Sequence, residues 1–293
     1  MIFYKTSSFG NDFIEIDRGE LDTGAENGAL ASAMPRHPLG GPACPEGRHP
    51  LGGLAAAICD RQRGVGADGV VFFRIEKEKI HFEIFNRDGG RAELSGNGMA
   101  GLAAVLFQRR LAPSPVTLHT ASGRRQVGLL ARRGPVFQLN VEIGRPDFSN
   151  RRFFPFLKDK QDNYVIDGME FYPVSVGNPH AVVICQDALS GKRLENLGKK
   201  LEGHPMFPKK VNVEFVNFTS AEKCRVFFYE RGVGPTLASS TGSAAVFAVL
   251  RRLGKVRDRL AIDLGAEKIH VSWNQGIFIH NITRLVCRGN FFG

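Results

Sequence analysis

Aromatic and β-branched residues alternate with polar ones from Ile2 to Asp17 around a Gly10-Asn11-Asp12 break, which predicts two short strands joined by a turn. After a segment of different character, the pattern turns helical from Leu54 to Gln62. Gly64-Val65-Gly66-Ala67-Asp68-Gly69 then leads into a strand from Val70 to Arg74, and a further strand covers Ile80 to Phe85. Later apolar runs predict strands at Val136 to Ile143, Phe171 to Val176, Ala181 to Cys185, Val213 to Phe218 and Arg225 to Tyr229. Glu195 to Glu202 reads as a short helix despite Gly198.

The segment Phe85 to Leu106 returns weakly 144 positions later. Phe85-Asn86-Arg87 matches Tyr229-Glu230-Arg231, Gly90 matches Gly234, Ser95 matches Ser239, Gly98 matches Gly242, and Ala104-Val105-Leu106 matches Ala248-Val249-Leu250. Each copy reads as strand, polar loop and a helix apolar nearly all round, so each helix is expected to be buried. The fold expected is α+β, with two pseudo-symmetric lobes of strands wrapped around a central helix. The lobe boundary is expected within Arg109 to Ser122, with a point near Pro146 as the second choice, which partitions the chain as residues 1–115 for the first lobe, 116–275 for the second, and a tail, 276–293, returning to the first.

Composition changes this picture in one place. Residues 18–53 are rich in Gly, Pro and Ala and contain Arg-His-Pro-Leu-Gly-Gly twice, at Arg36 to Gly41 and Arg48 to Gly53. Such a segment buries too little apolar surface to offset its ordering entropy, so it is expected to be a mobile insertion. Elsewhere 43% hydrophobic and 23% charged residues are those of a globular chain.

No apolar run approaches the roughly 20 residues that span a bilayer, and no signal peptide is evident, so a cytoplasmic protein without membrane contact is expected. Five scattered cysteines, Cys44, Cys59, Cys185, Cys224 and Cys287, support neither a disulfide framework nor a structural metal. The net charge of +10 is spread over short basic pairs such as Arg109-Arg110 and Lys199-Lys200, which argues against a nucleic-acid partner.

The chemistry is expected at the two helix starts, Ser95-Gly96-Asn97-Gly98 and Ser239-Ser240-Thr241-Gly242. Their unpaired N–H groups and positive dipole ends suit a carboxylate. About a pseudo-twofold, Ser95 and Ser239 would reach one bound molecule from opposite faces, the geometry of a stereo-inverting proton transfer.

Ordered segments then carry a resemblance: Phe9-Gly10-Asn11-Asp12-Phe13, Arg63 to Gly69, Phe85-Asn86-Arg87-Asp88-Gly89, Ser95 to Gly98, Gly177-Asn178-Pro179-His180-Ala181, Val211-Asn212-Val213-Glu214-Phe215 and Glu230 to Ala238. In these the chain resembles the diaminopimelate epimerase family. The resemblance implies a homodimeric isomerase without cofactor or metal, acting on an amino acid. In that family the reaction converts L,L- to meso-diaminopimelate, a precursor of lysine and peptidoglycan. It also implies substrate binding by Asn11, Asn86, Asn178, Asn212, Glu230 and Arg231 beside the helix starts, with Arg231 gripping a carboxylate and Glu230 an ammonium. His180 is a candidate for positioning groups near the reacting carbon.

The chain departs from the family at its centre, where serines 95 and 239 stand at the two catalytic cysteine positions and Ser240 replaces the usual glycine. A hydroxyl is a far weaker acid than a thiol of pKa ~8.5, so a serine acting as base needs a neighbouring base. Three readings stay open. One is an epimerase or racemase using the serines, another a catalytically silent amino-acid-binding homologue, and the third an isomerase of other small carboxylic acids with Glu93 as base.

Overall fold

The computed structural model describes residues 1–19, 49–159, 161–185, 191–265 and 267–292. The opening alternation forms β1 (Ile2–Ser8) and β2 (Asn11–Asp17), paired antiparallel. Most of the expected insertion, 20–48, lies outside the described residues, including the first copy of its repeated motif and Cys44. Its last residues are helical: α1 (Pro50–Cys59) begins ahead of the expected Leu54. The His49 ring accepts the Leu51 N–H and Pro50 occupies the first turn, a capped start that apolar periodicity alone does not reveal. The helix stops at Asp60, whose carboxylate accepts the N–H groups of Gln62 and Arg63.

β3 (Gly69–Glu76) and β4 (Lys79–Asn86) follow, then β5 (Arg91–Ala92) and α2 (Gly96–Arg109). β6 (Val116–Thr120) runs parallel beside β4, β7 (Gly123–Arg133) pairs with β6, and β8 (Val136–Gly144) with β7. The long β17 (Ile277–Asn290) lies between β8 and β1, so β1, β2, β3, β4, β6, β7, β8 and β17 form a closed ring. Inside it sits α2, packed on β1, β2, β3, β8 and β17. Phe137, Leu139, Val141 and Ile143 of β8 alternate inward, the period-two pattern of a strand with one buried face.

The second ring runs through β10 (Met169–Ser175), β11 (Pro179–Cys185), β12 (Asn212–Ser220), β13 (Lys223–Glu230), β15 (Arg259–Asp263), β16 (Lys268–Trp273) and β17. A bridge from Asp147, just beyond β8, to Ser175 closes it. It encloses α4 (Ser240–Arg252), while β9 (Tyr164–Ile166) and β14 (Gly234–Thr236) are short additions to β10 and β13. On the outside, α3 (Gly191–Glu202) starts earlier than the expected Glu195. Gly198 is there for packing: a Cβ at this position would lie 2.2 Å from the Tyr229 ring.

Strand pairing corrects the expected partition. Residues 116–133 form β6 and β7 in the first ring, not the second lobe, and 277–290 pair with β16 at one end and β1 at the other. β7 escapes the sequence because its inward face offers one buried residue, Val127, and β6 because it is short, with Val116 and Leu118 its buried pair.

Candidate active site

The two helix starts, 144 residues apart, fold identically. Ser95 and Ser239 are the N-caps of α2 and α4, both with extended backbone, and their hydroxyls accept the N–H of Gly98 at 3.1 Å and of Gly242 at 3.2 Å. The starts abut: a Cβ on Gly96 would lie 2.4 Å from Ser240 Cβ, so only glycine fits there. Ser240 Oγ donates to Asn97 Oδ1 at 2.6 Å, and Asn281 of β17 donates to the same oxygen at 2.9 Å.

One cleft lies over this junction. Ser95, Gly96 and Asn97 line it from the first lobe with Asn11 and Asn86; Ser239, Ser240 and Thr241 line it from the second with Asn178, Asn212, Glu230 and Arg231. Asn11 Oδ1 is buried there with no hydrogen-bond partner in the protein, a cost that a ligand donor would remove. Two of the second lobe's amides are committed. Asn212 donates to Pro179 O at 2.8 Å and accepts the Arg231 N–H at 3.0 Å. Asn178 donates to Thr241 Oγ1 at 3.3 Å, and its oxygen faces His180 Nε2 at 2.9 Å.

His180 and Glu93 do not line the cleft. His180 is fully buried between Asn178 and Glu214, whose carboxylate lies 2.7 Å from Nδ1, so it braces Asn178 from behind. Glu93 spans the lobes and pairs with the Arg231 guanidinium, which also donates to Lys209 O at 3.2 Å. The arginine expected to be open for a substrate carboxylate is therefore already held by a carboxylate of the chain.

Glu230 accepts a 2.7 Å hydrogen bond from Thr236. Burial, with Glu214 and Asp68 nearby adding repulsion, pushes its carboxyl up to about 7, against that stabilising bond. The buried thiols of Cys59 and Cys224 are pushed up to about 12 by burial, and neither lines the cleft.

Asp68 also lines the cleft and was missed in the sequence. It stands 144 residues before Asn212, so the repeat itself was the available signal. Arg61 and the Asp12 N–H hold its carboxylate, and burial raises its pKa.

The family model for diaminopimelate epimerase matches residues 46–148 and 172–277, both helix starts included. The chain belongs to the diaminopimelate epimerase family. The diaminopimelate epimerase of Carboxydothermus hydrogenoformans is 31% identical over 301 residues, covering 100% of both chains. That of Desulforapulum autotrophicum is 31% identical over 283 residues, covering 93% of this chain and 91% of its own. Among solved structures, a hydroxyproline epimerase from Agrobacterium vitis, with bound trans-4-hydroxy-L-proline, superposes with a TM-score of 0.65 at 16% identity. It covers 99% of this chain and 91% of its own, a likeness of fold. Members of the diaminopimelate epimerase family are isomerases.

Proposed function

We propose that the chain is a cofactor-independent amino-acid epimerase or racemase. It binds the substrate α-carboxylate over the joined helix starts and moves the α-proton in the cleft between Ser95 and Ser239. The observation that carries the reading is the equivalence of these two serines, each capping a buried helix of its own lobe and both lining one cleft. Electron density left at the α-carbon delocalises into the carboxylate, and the helix dipoles stabilise the charge that develops there.

The substrate proposed is an amino acid with a second polar end, diaminopimelate first. Asn11 with its orphaned oxygen, Glu230 and the Glu93-paired Arg231 supply polar groups for that end. Incubating L,L-diaminopimelate with the protein and separating the stereoisomers by chiral chromatography tests this directly: meso product is expected, and its absence at high enzyme would remove the assignment.

A second reading, a silent amino-acid-binding homologue, is favoured by one observation. Both serine hydroxyls accept cap hydrogen bonds, a structural task that needs no chemistry. Ligand-dependent thermal stabilisation without turnover would select it.

A further inference from the structure

Arg231 is the one cation among the described residues that line the cleft, where Asp68 and Glu230 are the acids. Its own lobe fixes it twice: Asn212 Oδ1 accepts its backbone N–H at 3.0 Å, and Lys209 O accepts from Nη1 at 3.2 Å. Nη2 crosses to the first lobe and donates to Glu93 Oε2. Glu93 stands outside the cleft, between β5 and the cap residue Ser95, with its side chain 28% exposed. From the rim, its carboxylate holds the single cationic partner that the described lining offers a ligand's second carboxylate.

The repeat shows that the fold does not require this acid. At the 144-residue offset Arg231 answers to Arg87 and Glu93 to Leu237. Arg87 also crosses between the lobes, yet its Nη2 ends on a backbone carbonyl, Val233 O, at 3.2 Å, and Leu237 is exposed. One of two equivalent crossings works without a carboxylate, and the one that has it is the one that opens on the cleft.

We propose that Glu93 is a built-in competitor that sets specificity at the far end of the site. It occupies Arg231 in the place of a substrate's second carboxylate and gives it up when an amino acid with two carboxylates binds. The proposal rests on the reading that an amino acid sits in this cleft with its α-carboxylate over the helix starts. An amino acid with one carboxylate leaves the pair in place. One with two exchanges Glu93 for its own carboxylate, and Glu93, already partly in water, is rehydrated. Glu93 is thus a positioning residue that acts through Arg231. A partly exposed ion pair contributes a factor of about five at most, so the competition lowers affinity without blocking the site.

The test compares two ligands that differ by that carboxylate alone, L,L-diaminopimelate and L-lysine, by isothermal titration calorimetry on the full chain at fixed pH and ionic strength. Glu93→Gln is expected to tighten diaminopimelate about fivefold and to leave L-lysine within about twofold. In an Arg231→Gln background the gain from Glu93→Gln is expected to vanish, which a residue that merely supports the fold would not produce. Glu93→Leu, the side chain found at the equivalent position 237, is expected to act in the same way, and thermal unfolding shows that the variants fold. Diaminopimelate affinity unchanged or weakened in both Glu93 variants, an equal gain for the two ligands, or a gain that survives Arg231→Gln would overturn the proposal alone. Binding of neither ligand to the parent or the variants would overturn the underlying reading and the proposal with it.

Discussion

Ser240 Oγ donates a 2.6 Å hydrogen bond to Asn97 Oδ1, tying the first turn of α4 to that of α2 across the two lobes. From there the bonding continues through Asn281 to Thr283 and Ser8, a buried polar chain between the helix starts and the outer strands. Buried polar groups of this kind are costly to orphan.

Ser240→Ala therefore removes one bond from Asn97, which keeps its contact with Asn281. A loss of about 1 kcal/mol is expected from urea unfolding. Asn97→Ala strands both partners and is expected to cost more, about 2 to 3 kcal/mol by the same measurement.

The pH dependence of stability follows from Glu230. Its folded pKa of about 7 stands above the ordinary 4.5, so the folded state binds the proton more tightly than the unfolded chain. Stability is then fullest below pH 4.5, falls as pH rises through 7, and the total loss is at most about 3 kcal/mol. Glu15, buried with Thr6 as its partner and raised well above the carboxylate range by burial, adds a loss of the same sign. Urea midpoints between pH 5 and 8 should fall, and Glu230→Gln should flatten the fall.

His180 and Glu214 form a pair with both side chains fully buried. His180→Ala leaves the carboxylate uncompensated and is expected to cost about 3 to 5 kcal/mol. Adding Glu214→Gln should restore part of that loss, and a double-mutant cycle in urea reads the coupling. A rise in turnover with intact stability would contradict the bracing role.

Much of this site was legible in the sequence because a repeat carries it. The 144-residue offset located both N-caps and both buried helices, since a helix apolar all round declares itself without tertiary information. What stayed hidden depends on contacts between distant segments. Glu93 and Arg231, or His180 and Glu214, pair only after the lobes and strands assemble, and no local spacing encodes the pairing. β7, with Val127 its one buried residue, shows no period, and its place is set by its neighbours in the ring.

Placing thiols at positions 95 and 239 tests how far the serines limit the chemistry. Ser95→Cys with Ser239→Cys places groups of ordinary pKa ~8.5 at two helix starts, which lower it further. Turnover of L,L-diaminopimelate is expected to rise on the order of 100-fold at neutral pH, despite some loss of N-cap stability of about 1 kcal/mol per site. Unchanged turnover would argue against proton transfer at these positions.

The most direct test of the account is proton NMR of the protein with L,L-diaminopimelate and a panel of L-amino acids in D2O, following the α-hydrogen signal. The account predicts substrate-dependent loss of that signal, strongly reduced in Ser239→Ala. An undiminished signal at high enzyme, together with ligand-induced thermal stabilisation, would contradict it and leave the cleft as a binding site.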